Sequence, residues 1–523
     1  MRFPSFMTFI LILVISLPAF AGTIGPEGQK RLEAVFGKLL DQYKKTAETN
    51  GAKLMTEGSI LVEPSETYYA ITLPHITVKQ PDGSYTEIGM ISVNALPGDA
   101  PDRWNMTVAL PTPIIHYDAM KKPLVTTTFG GQNFAGVWNE KFSNFTRLNA
   151  HYGNIEIRDH AEQTRILIPE AKLVYDMQET KPGLWSGPAD FKLSDLQVYF
   201  DKDGSTARIG EVALKSKIED YSLETAVAYQ EKMNAIVESL EGGDAPSASP
   251  QSMMGYYNLI FDLMSSWSNF DCNLSVKNVA LTRPAIPGSP PGLLKIANAA
   301  FGYGMAGIRS GNADLKLNFS YDGLAFAPLP ANYSNAAPDH LSLSLGVNKL
   351  PFREMVEMGR SSLQSVIDNP AMGELAWLQV IATMPQLLTQ ARTNIALGKS
   401  SIGNEHYDVA ADGVLTANMQ ATMGATGALN ARIYGIDNLI AAMNAAAADP
   451  KIDEAKKKSI QDTLATLAIV KMAGQMDKDD KGRDIRTYKL ELNQQGQAML
   501  NGTDLNMLMQ ATQGSGAGTP AAP

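Results

Sequence analysis

The sequence has a single cysteine in 523 residues and fewer basic than acidic side chains. Cys272 has no second cysteine to pair with, so an apolar core must stabilise the fold without an internal disulfide. The 44 lysine and arginine residues against 54 acidic ones give a formal net charge of −10. This charge disfavours nucleic acid and anionic lipid headgroups as partners. Apolar residues make up 44% of the chain, enough for two or three domains.

Long apolar runs are also scarce, and one of them begins the sequence. Arg2 is followed by the apolar residues 6–17, and Pro18 then precedes the small-residue triplet Ala19 to Ala21, which is typical of a signal-peptidase site. We therefore expect a cleaved signal peptide over residues 1–21 and a secreted, periplasmic protein. A membrane span needs about 20 residues. An uncleaved signal that anchors the protein in the inner membrane is the alternative.

Signatures of catalysis and metal binding are missing as well. No two of the six histidines lie three or four residues apart, so a zinc site would need distant residues to converge. Residues 302–307 fit G-x-G-x-x-G, but a strand pattern follows where dinucleotide binding requires a helix. The acidic turns 201–204 and 477–482 lack the ligand spacing of a calcium loop. We expect no catalytic residue, no metal and no cofactor, and predict that the protein is not an enzyme.

The first half of the chain combines one helical pattern with many strand patterns. Apolar residues at helical spacing predict an amphipathic helix from about Pro26 to Thr49. Residues 53–218 alternate apolar and polar side chains, which predicts an antiparallel meander. Pro74 shifts the apolar parity within the run 69–78, as a bulge or an edge strand would. The turns predicted between the strands are 81–83, 130–131, 181–183 and 201–204.

The second half repeats the alternation of helices and strands. Residues 251–267 are apolar around most of a helix, so we expect this helix to be enclosed. Alternation at 315–321 and 341–347 predicts strands with one buried and one wet face. A helical block over 351–397 is expected to break at Asn369-Pro370 and to kink near Pro385. Further strands over 406–434, helices at 436–448 and 450–472, and a hairpin over 487–500 complete the prediction.

These patterns predict an α+β fold, in which long antiparallel β-meander sheets are packed against or wrapped around amphipathic and apolar helices. After the signal peptide, residues 22–241 form an N-terminal helix and a first meander. Residues 251–513 form a second meander with helical segments, and residues 514–523 form a disordered tail. The small and polar residues 242–250 are either a linker between two domains or a loop within one.

Three strand-to-helix returns, at 349–355, 434–440 and 501–508, form a weak repeat or reflect common helix-start chemistry. Together with the export signal and the alternation of meanders and apolar helices, the closing run resembles the uncharacterised YdgA and AsmA-like families of Gram-negative periplasmic proteins. That run is the strand 487–492, Gly496 and the segment Met499-Leu500-Asn501-Gly502. The resemblance implies an elongated antiparallel sheet around helices or lipid and a role in envelope maintenance or lipid traffic. It implies no catalytic residues.

The 24 methionines concentrate in helices and the turns after them. Methionine fills irregular core gaps and also lines surfaces that accept variable apolar shapes. Two function classes therefore remain: a carrier of a lipid or other lipophile in a groove between sheet and helices, and a non-catalytic envelope scaffold that binds a protein partner. We expect no nucleic-acid partner. The candidate ligand-binding residues, which are plain core under the second hypothesis, are Met253, Tyr257, Phe261, Met264, Trp267, Leu378 and Met384.

Overall fold

A computed structural model describes residues 24–229, 232, 250–328, 336–448 and 452–507. The predicted signal peptide, most of the stretch 242–250 and the predicted tail lie outside the described residues. The described chain consists of α-helices and long antiparallel strands, so the predicted α+β meander class is confirmed. Among the described helices, none combines the length and the apolar character that crossing a bilayer requires.

The principal helices are α1 (Pro26–Thr49), α2 (Pro250–Met264), α3 (Phe352–Asp368), α4 (Gly373–Ala391), α5 (Ile436–Ala447) and α6 (Glu454–Ala473). The first strands are β1 (Lys53–Glu57), β2 (Leu61–Pro64), β3 (Tyr69–Thr72), β4 (His75–Lys79), β5 (Tyr85–Gly89), β6 (Ser92–Pro97), β7 (Arg103–Ala109), β8 (Ile114–Tyr117), β9 (Pro123–Asn139), β10 (Asn144–Asp159), β11 (Thr164–Asp176), β12 (Gln178–Lys181), β13 (Leu184–Phe200) and β14 (Ser205–Tyr221). The remaining strands are β15 (Asn269–Arg283), β16 (Gly292–Ala306), β17 (Asn312–Asp322), β18 (Ala325–Ala327), β19 (His340–Pro351), β20 (Asn394–Gly403), β21 (Asp408–Ala417), β22 (Ala425–Tyr434), β23 (Gln475–Lys478), β24 (Asp484–Leu492), β25 (Ala498–Leu500) and β26 (Thr503–Asp504).

Contacts along the chain divide it into two compact units. Unit 1 comprises residues 1–227 and 273–293, and unit 2 comprises residues 228–272 and 294–523. The division therefore falls within β15 and β16 as well as near residue 227. Each unit contains its own antiparallel pairings and its own helices.

The sheet of unit 1 forks at β9. One edge of β9 pairs with β10, while the other edge pairs with β8 at residues 123–127 and with β7 at residues 135–139. From β8 the pairing continues through β5 and β4 to β1, and from β7 it continues through β6 and β3 to β2. At the fork, the side chain of Gln132 donates to the Leu110 carbonyl at 2.8 Å and accepts from the Leu110 amide at 2.9 Å. An amide side chain thus replaces a strand partner where the two branches separate.

Helix α1 occupies the interior between the two branches. It has the predicted bounds, and its buried residues include Leu32, Phe36 and Leu39. It packs against β1 and β2, the last strands of the branches. Trp104 and Trp138, from β7 and β9, belong to the same core and are 1% and 0% exposed. Both branches and the helix therefore share one sealed core, which is the main apolar stabilisation of unit 1.

Two predictions about unit 1 are wrong, because each pattern depends on the fork. Residues 130–131 lie within β9, where Gly131 pairs with Gly153, and do not form a turn. Pro74 is neither a bulge nor part of an edge strand. It separates β3, which pairs in one branch, from β4, which pairs in the other. The apolar parity changes there because the chain moves from one layer to the other.

A row of residues with left-handed backbone crosses the long strands of unit 1. Asn154 on β10, Asp195 on β13 and Asn278 on β15 have φ of 50°, 55° and 54°. The register of β10 with β11 is the same on both sides of Asn154, so the strand bends there without a bulge. Asparagine and aspartate adopt this conformation at lower cost than other non-glycine residues. Short polar residues therefore set the line along which these strands bend.

Unit 2 contains a sheet in the order β16, β17, β19, β20, β21, β22, β24 and β25, with every neighbouring pair antiparallel. Helices connect consecutive strands: α3 and α4 lie between β19 and β20, and α5 and α6 lie between β22 and β23. The predicted break at Asn369-Pro370 is confirmed, and α4 continues through Pro385. Strand β20 begins at Asn394, so the predicted helical block ends earlier than 397.

Candidate ligand-binding face

One face of the unit 2 sheet carries apolar side chains on every strand from β16 to β24. Directly opposite residues of an antiparallel pair lie on the same face, and successive residues along a strand lie on opposite faces. We call this surface the apolar face. Its cross-strand pairs include Phe301 with Phe319, Tyr303 with Leu317, Leu317 with Leu345, Phe319 with Leu343, Leu341 with Ile402, Leu345 with Leu397, Val347 with Ile395, Ile395 with Leu415, Val409 with Ile433, and Leu429 with Leu490.

The apolar face is only partly covered. Seven of its large side chains are 37–54% exposed. They are Phe301, Leu317, Phe319, Leu345, Ile395, Ile402 and Leu415. The alternation predicted one buried and one wet face, and that expectation is wrong because the described residues form no complete second layer above these apolar side chains. Together they expose several hundred Å² of apolar surface, an area that marks an interaction site in a soluble protein.

The opposite face of the same sheet is polar. It carries Asn318 on β17 and Ser342 on β19, which alternate with the apolar residues. Across β21 and β22, the Asn430 amide donates to the Asp412 carboxylate at 3.3 Å. The sheet is therefore amphipathic over its whole width. Such a sheet is suited to water on its polar side and to an apolar contact on the other.

The helices of unit 2 are joined to the ends of these strands. The Thr393 hydroxyl, just after α4, donates to the Lys349 carbonyl near the end of β19 at 2.8 Å. The Met419 amide, after β21, donates to the Thr389 hydroxyl on α4 at 3.0 Å. Arg353 at the start of α3 donates to the Arg309 carbonyl at 2.7 Å. These contacts fix α3 and α4 at one end of the sheet, whereas Asn438 of α5 donates to the His406 carbonyl at the other end. Side chains in the middle of the apolar face, such as Leu317 and Leu345, stay partly exposed.

At the other end of the same strands, His340 connects β19 to β21. Its ring nitrogens lie 2.9 Å from the Asp339 carboxylate and 3.1 Å from the Asp408 carboxylate. Burial lowers the pKa of His340, but the hydrogen bonds to both aspartates outweigh burial and raise the pKa above its usual 6.5. The strand end opposite α3 and α4 therefore carries a cross-strand cluster of ionisable side chains.

Two of the four predicted lining residues on α2 serve helix packing. The Tyr257 hydroxyl donates to the Val356 carbonyl on α3 at 2.9 Å, and the Phe261 ring stacks on Phe352 with centroids 6.3 Å apart. Met264 is half-buried, and the side chain of Met253 lies outside the described residues. Among the described α2 side chains only Leu259 is buried, so the predicted enclosure of this helix is wrong.

The other predicted lining residues are dispersed. Trp267 follows α2 and packs against Phe270 at 6.3 Å. On α4, Leu378 is 59% exposed, whereas Met384 is half-buried. Six residues correspond to a rotation of about 240° around a helix, so these two side chains lie on different faces. The described members of the predicted set therefore do not line one groove.

The alternation in the sequence correctly predicts the strands of the apolar face. It also predicts that their apolar side chains are buried, which they are only in part. Period-two spacing at 315–321 and 341–347 identified its strands and which residues share a face. It contained no signal for the missing second layer, since cover comes from residues distant in sequence. The exposed apolar side chains of α4, including Trp377 and Ile381, were also missed, although that helix has a single charged residue, Glu374.

Unit 1 has a similar amphipathic region in its long strands. Phe191 on β13 lies opposite Leu173 on one side and Leu214 on the other, and these side chains are half-buried. On the other face, Glu211 lies 2.9 Å from the ammonium groups of both Lys192 and Lys277. The hydrogen bonds from these two lysines lower the pKa of Glu211 to about 2. One face is again apolar and the other charged.

Two cavities in the described structure differ in character. A cavity of about 20 Å³ lies beneath α1 and is lined by Phe36, Leu39, Leu40, Tyr43, Leu54, Leu73 and Ile76. It has room for about one water molecule. An open depression of about 500 Å³ lies along α6 and is lined by residues that include Lys458, Asp462 and Thr466. The first is too small for a lipid, and the second is too polar.

The sequence motifs with chemical potential are structural elements. Gly307, with φ of 75°, leads into a 3-10 turn at Ile308–Ser310 and then into β17, so the glycine motif is a β connection. The Asp203 and Asp479 carboxylates accept backbone amides within their own turns. Within the described ranges, no group of three or more histidine, cysteine, aspartate or glutamate side chains is placed to hold a metal ion.

Comparisons with protein-family models, with curated proteins and with solved structures found no match to this chain. The resemblance drawn from the closing motif therefore stays a prediction.

Proposed function

We propose that this chain is an exported envelope protein that binds the hydrocarbon chains of a lipid or similar lipophile on the apolar face of unit 2. The observation that supports the proposal most directly is the cross-strand register. It places aliphatic and aromatic side chains opposite one another from β16 to β24 while their upper surface stays partly exposed. The predicted signal peptide supports a location in the periplasm, where lipids in transit need an apolar surface.

The chemistry of the face favours hydrocarbon over a protein partner. Protein interfaces carry about one hydrogen bond per 100–200 Å². On two strands of the apolar face, the three cross-strand pairs Leu315 with Val347, Leu317 with Leu345 and Phe319 with Leu343 have no side-chain donor or acceptor. A ligand without polar groups loses nothing on such a surface, whereas the polar backbone of a protein would lose hydrogen bonds to water.

The dimensions of the face also suit an acyl chain. Seven strands at about 4.8 Å spacing give a width of about 29 Å. The acyl layer of one leaflet is about 15 Å thick, half of the ~30 Å bilayer core. The face is therefore long enough for a complete acyl chain that crosses several strands.

The test is lipid analysis of the full chain purified from periplasm, with two variants at adjacent positions. Leu317→Asp places a carboxylate on the apolar face, and Asn318→Asp places one on the polar face of the same strand. We expect native mass spectrometry and solvent extraction to find phospholipid or another lipophile with the wild type and with N318D. We expect at least a tenfold lower amount with L317D, because an ionised carboxylate opposes hydrocarbon burial.

Circular dichroism of both variants provides the folding control, since both positions are exposed and substitution there changes stability little. A wild-type protein that carries no lipid and does not bind a pyrene-labelled fatty acid would refute the proposal. Equal lipid content in L317D and N318D would place the ligand elsewhere.

The scaffold hypothesis is supported by a different observation. The core around α1 is sealed except for the cavity of about 20 Å³, so this part of unit 1 offers no enclosed lipid site. A structural role suits such a core. If the wild type carries no lipid but co-purifies with a stoichiometric amount of an envelope protein, and L317D does not, the scaffold hypothesis is the better description.

A further inference from the structure

Helix α4 presents an apolar stripe to solvent. Leu375, Trp377, Leu378 and Ile381 are 54–66% exposed. At about 100° per residue these four positions span about 160° of the helix, and the exposed Pro385 lies within the same span. The opposite side packs inward, with Ala376 buried. An exposed stripe of tryptophan, leucine and isoleucine side chains indicates an interaction site, because removing this apolar surface from water lowers the free energy.

We infer that this stripe docks the protein onto the surface of a phospholipid bilayer, with α4 lying in the interfacial layer. An interfacial helix combines an apolar face containing tryptophan and leucine with a polar face directed to water. The polar residues of α4 are Gln379, Thr383, Gln386, Thr389 and Gln390, and its only charged residue is Glu374. A helix without basic residues has no electrostatic preference for anionic lipid, so we infer a zwitterionic lipid surface.

The stripe is continuous with the face proposed to bind lipid, which argues for a bilayer as its occupant. The Thr389 hydroxyl near the end of α4 accepts the amide of Met419, whose side chain is exposed. Three residues after α4, β20 begins, and Ile395 on it pairs with Leu415 at the edge of the apolar face. Exposed apolar side chains thus lie on α4, at Met419 and at the start of β20, and the exposed Arg392 is the one charged residue between α4 and β20. A lipid that leaves the bilayer beside α4 would meet the apolar face at the start of β20.

The inference rests in part on the proposed function, but its test is separate. The full chain is mixed with phosphatidylcholine vesicles and floated in a density gradient. The double variant Leu378→Glu with Ile381→Glu is compared with Gln379→Glu with Gln386→Glu, which adds the same charges to the same helix outside the apolar stripe. We expect the wild type and the glutamine variant to float and the stripe variant to lose roughly tenfold or more of its vesicle affinity.

Tryptophan fluorescence locates the contact. Trp104, Trp138 and Trp185 are at most 4% exposed and Trp267 is half-buried, whereas Trp377 is 54% exposed. Vesicles with brominated acyl chains should therefore quench the Trp377 emission selectively. The Trp377→Phe variant should float but lose that quenching.

Three results would overturn the inference. The first is a wild type that does not float, and the second is a stripe variant that floats as well as the wild type. The third is a wild type that is a dimer by light scattering while the stripe variant is a monomer, which would assign the stripe to a second copy of the chain. The proposed function is distinguished by L317D, which should float normally while it loses bound lipid. Failure of flotation with lipid still bound would refute the docking alone.

Discussion

At the level of single residues, Glu140 is an ionisable group whose partial burial should make stability depend on pH. Its carboxylate lies 3.5 Å from the Arg31 guanidinium of α1, at the edge of the unit 1 core. Burial raises the pKa of Glu140 to about 7, although Arg31 opposes the shift, and Asp102 adds to it. Burial also lowers the pKa of Arg31. The attraction between the two charges therefore does not offset the cost of removing them from water.

This shift predicts a pH-dependent stability. Glutamate in the unfolded chain titrates near 4.5, so between pH 4.5 and 7 the folded state binds more protons and stability falls as pH rises. Glu140→Gln is neutral throughout this range and removes that fall. We expect the thermal midpoint of E140Q, relative to wild type, to increase from pH 4.5 to pH 7 and then to stay constant. Glu48→Gln, on the exposed side of α1, is the control, and parallel pH profiles for E140Q and wild type would contradict the prediction.

At the scale of elements, α1 shows how a local pattern and a distant contact act on one helix. Its apolar spacing specified the helix and its buried face. Its position depends on Tyr69, whose hydroxyl accepts the Gly25 amide at 2.8 Å and donates to the Gly25 carbonyl at 3.1 Å. Tyr69 is on β3, 44 residues away. The helix start is therefore fixed by a residue that no local pattern identifies.

Two glycines of α1 provide a matched pair of substitutions. A Cβ on Gly28 would lie 2.1 Å from the Tyr69 hydroxyl, whereas a Cβ on Gly37 would have no neighbour within 4 Å. We expect Gly37→Ala to stabilise unit 1 by about 0.5–1 kcal/mol, since alanine is the better helix former. Gly28→Ala should destabilise it by about 1–3 kcal/mol, because Tyr69 must move and lose its bonds to Gly25. Urea unfolding followed by tryptophan fluorescence measures both, and an equal gain for the two variants would show that Tyr69 does not hold the helix.

At the scale of the whole molecule, each unit combines helices with long amphipathic strands whose apolar sides are incompletely covered. The polar sides carry ion pairs such as Lys192 with Glu211 in unit 1. With a net charge of −10, the chain can remain dispersed in water while it exposes apolar area. Two surfaces of the same kind in one chain predict more than one site for a hydrocarbon ligand.

This expectation is testable by adding a carboxylate to each apolar side. Phe191→Asp alters the strands of unit 1, and Leu345→Asp alters the apolar face of unit 2. We expect each variant to bind less of a pyrene-labelled fatty acid than wild type and the double variant to bind least, because sites without shared partners contribute independently. Titration at constant protein concentration gives the number of bound probes. If F191D binds as much probe as wild type, ligand binding is confined to unit 2.

Patterns between near neighbours in the sequence specify the local structure: the bounds of α1, the break at Asn369-Pro370 and the strands whose alternation defines the apolar face. Helical spacing, proline and period-two alternation act between near neighbours, so these features are determined without the rest of the chain. Three features depend on contacts between distant parts of the chain: Gly131 lies inside a forked strand, Pro74 marks a change of branch, and α2 and the apolar face are left partly open. Whether an apolar side chain is covered depends on elements far away in sequence. The same alternation is compatible with a sealed core and with an exposed binding surface.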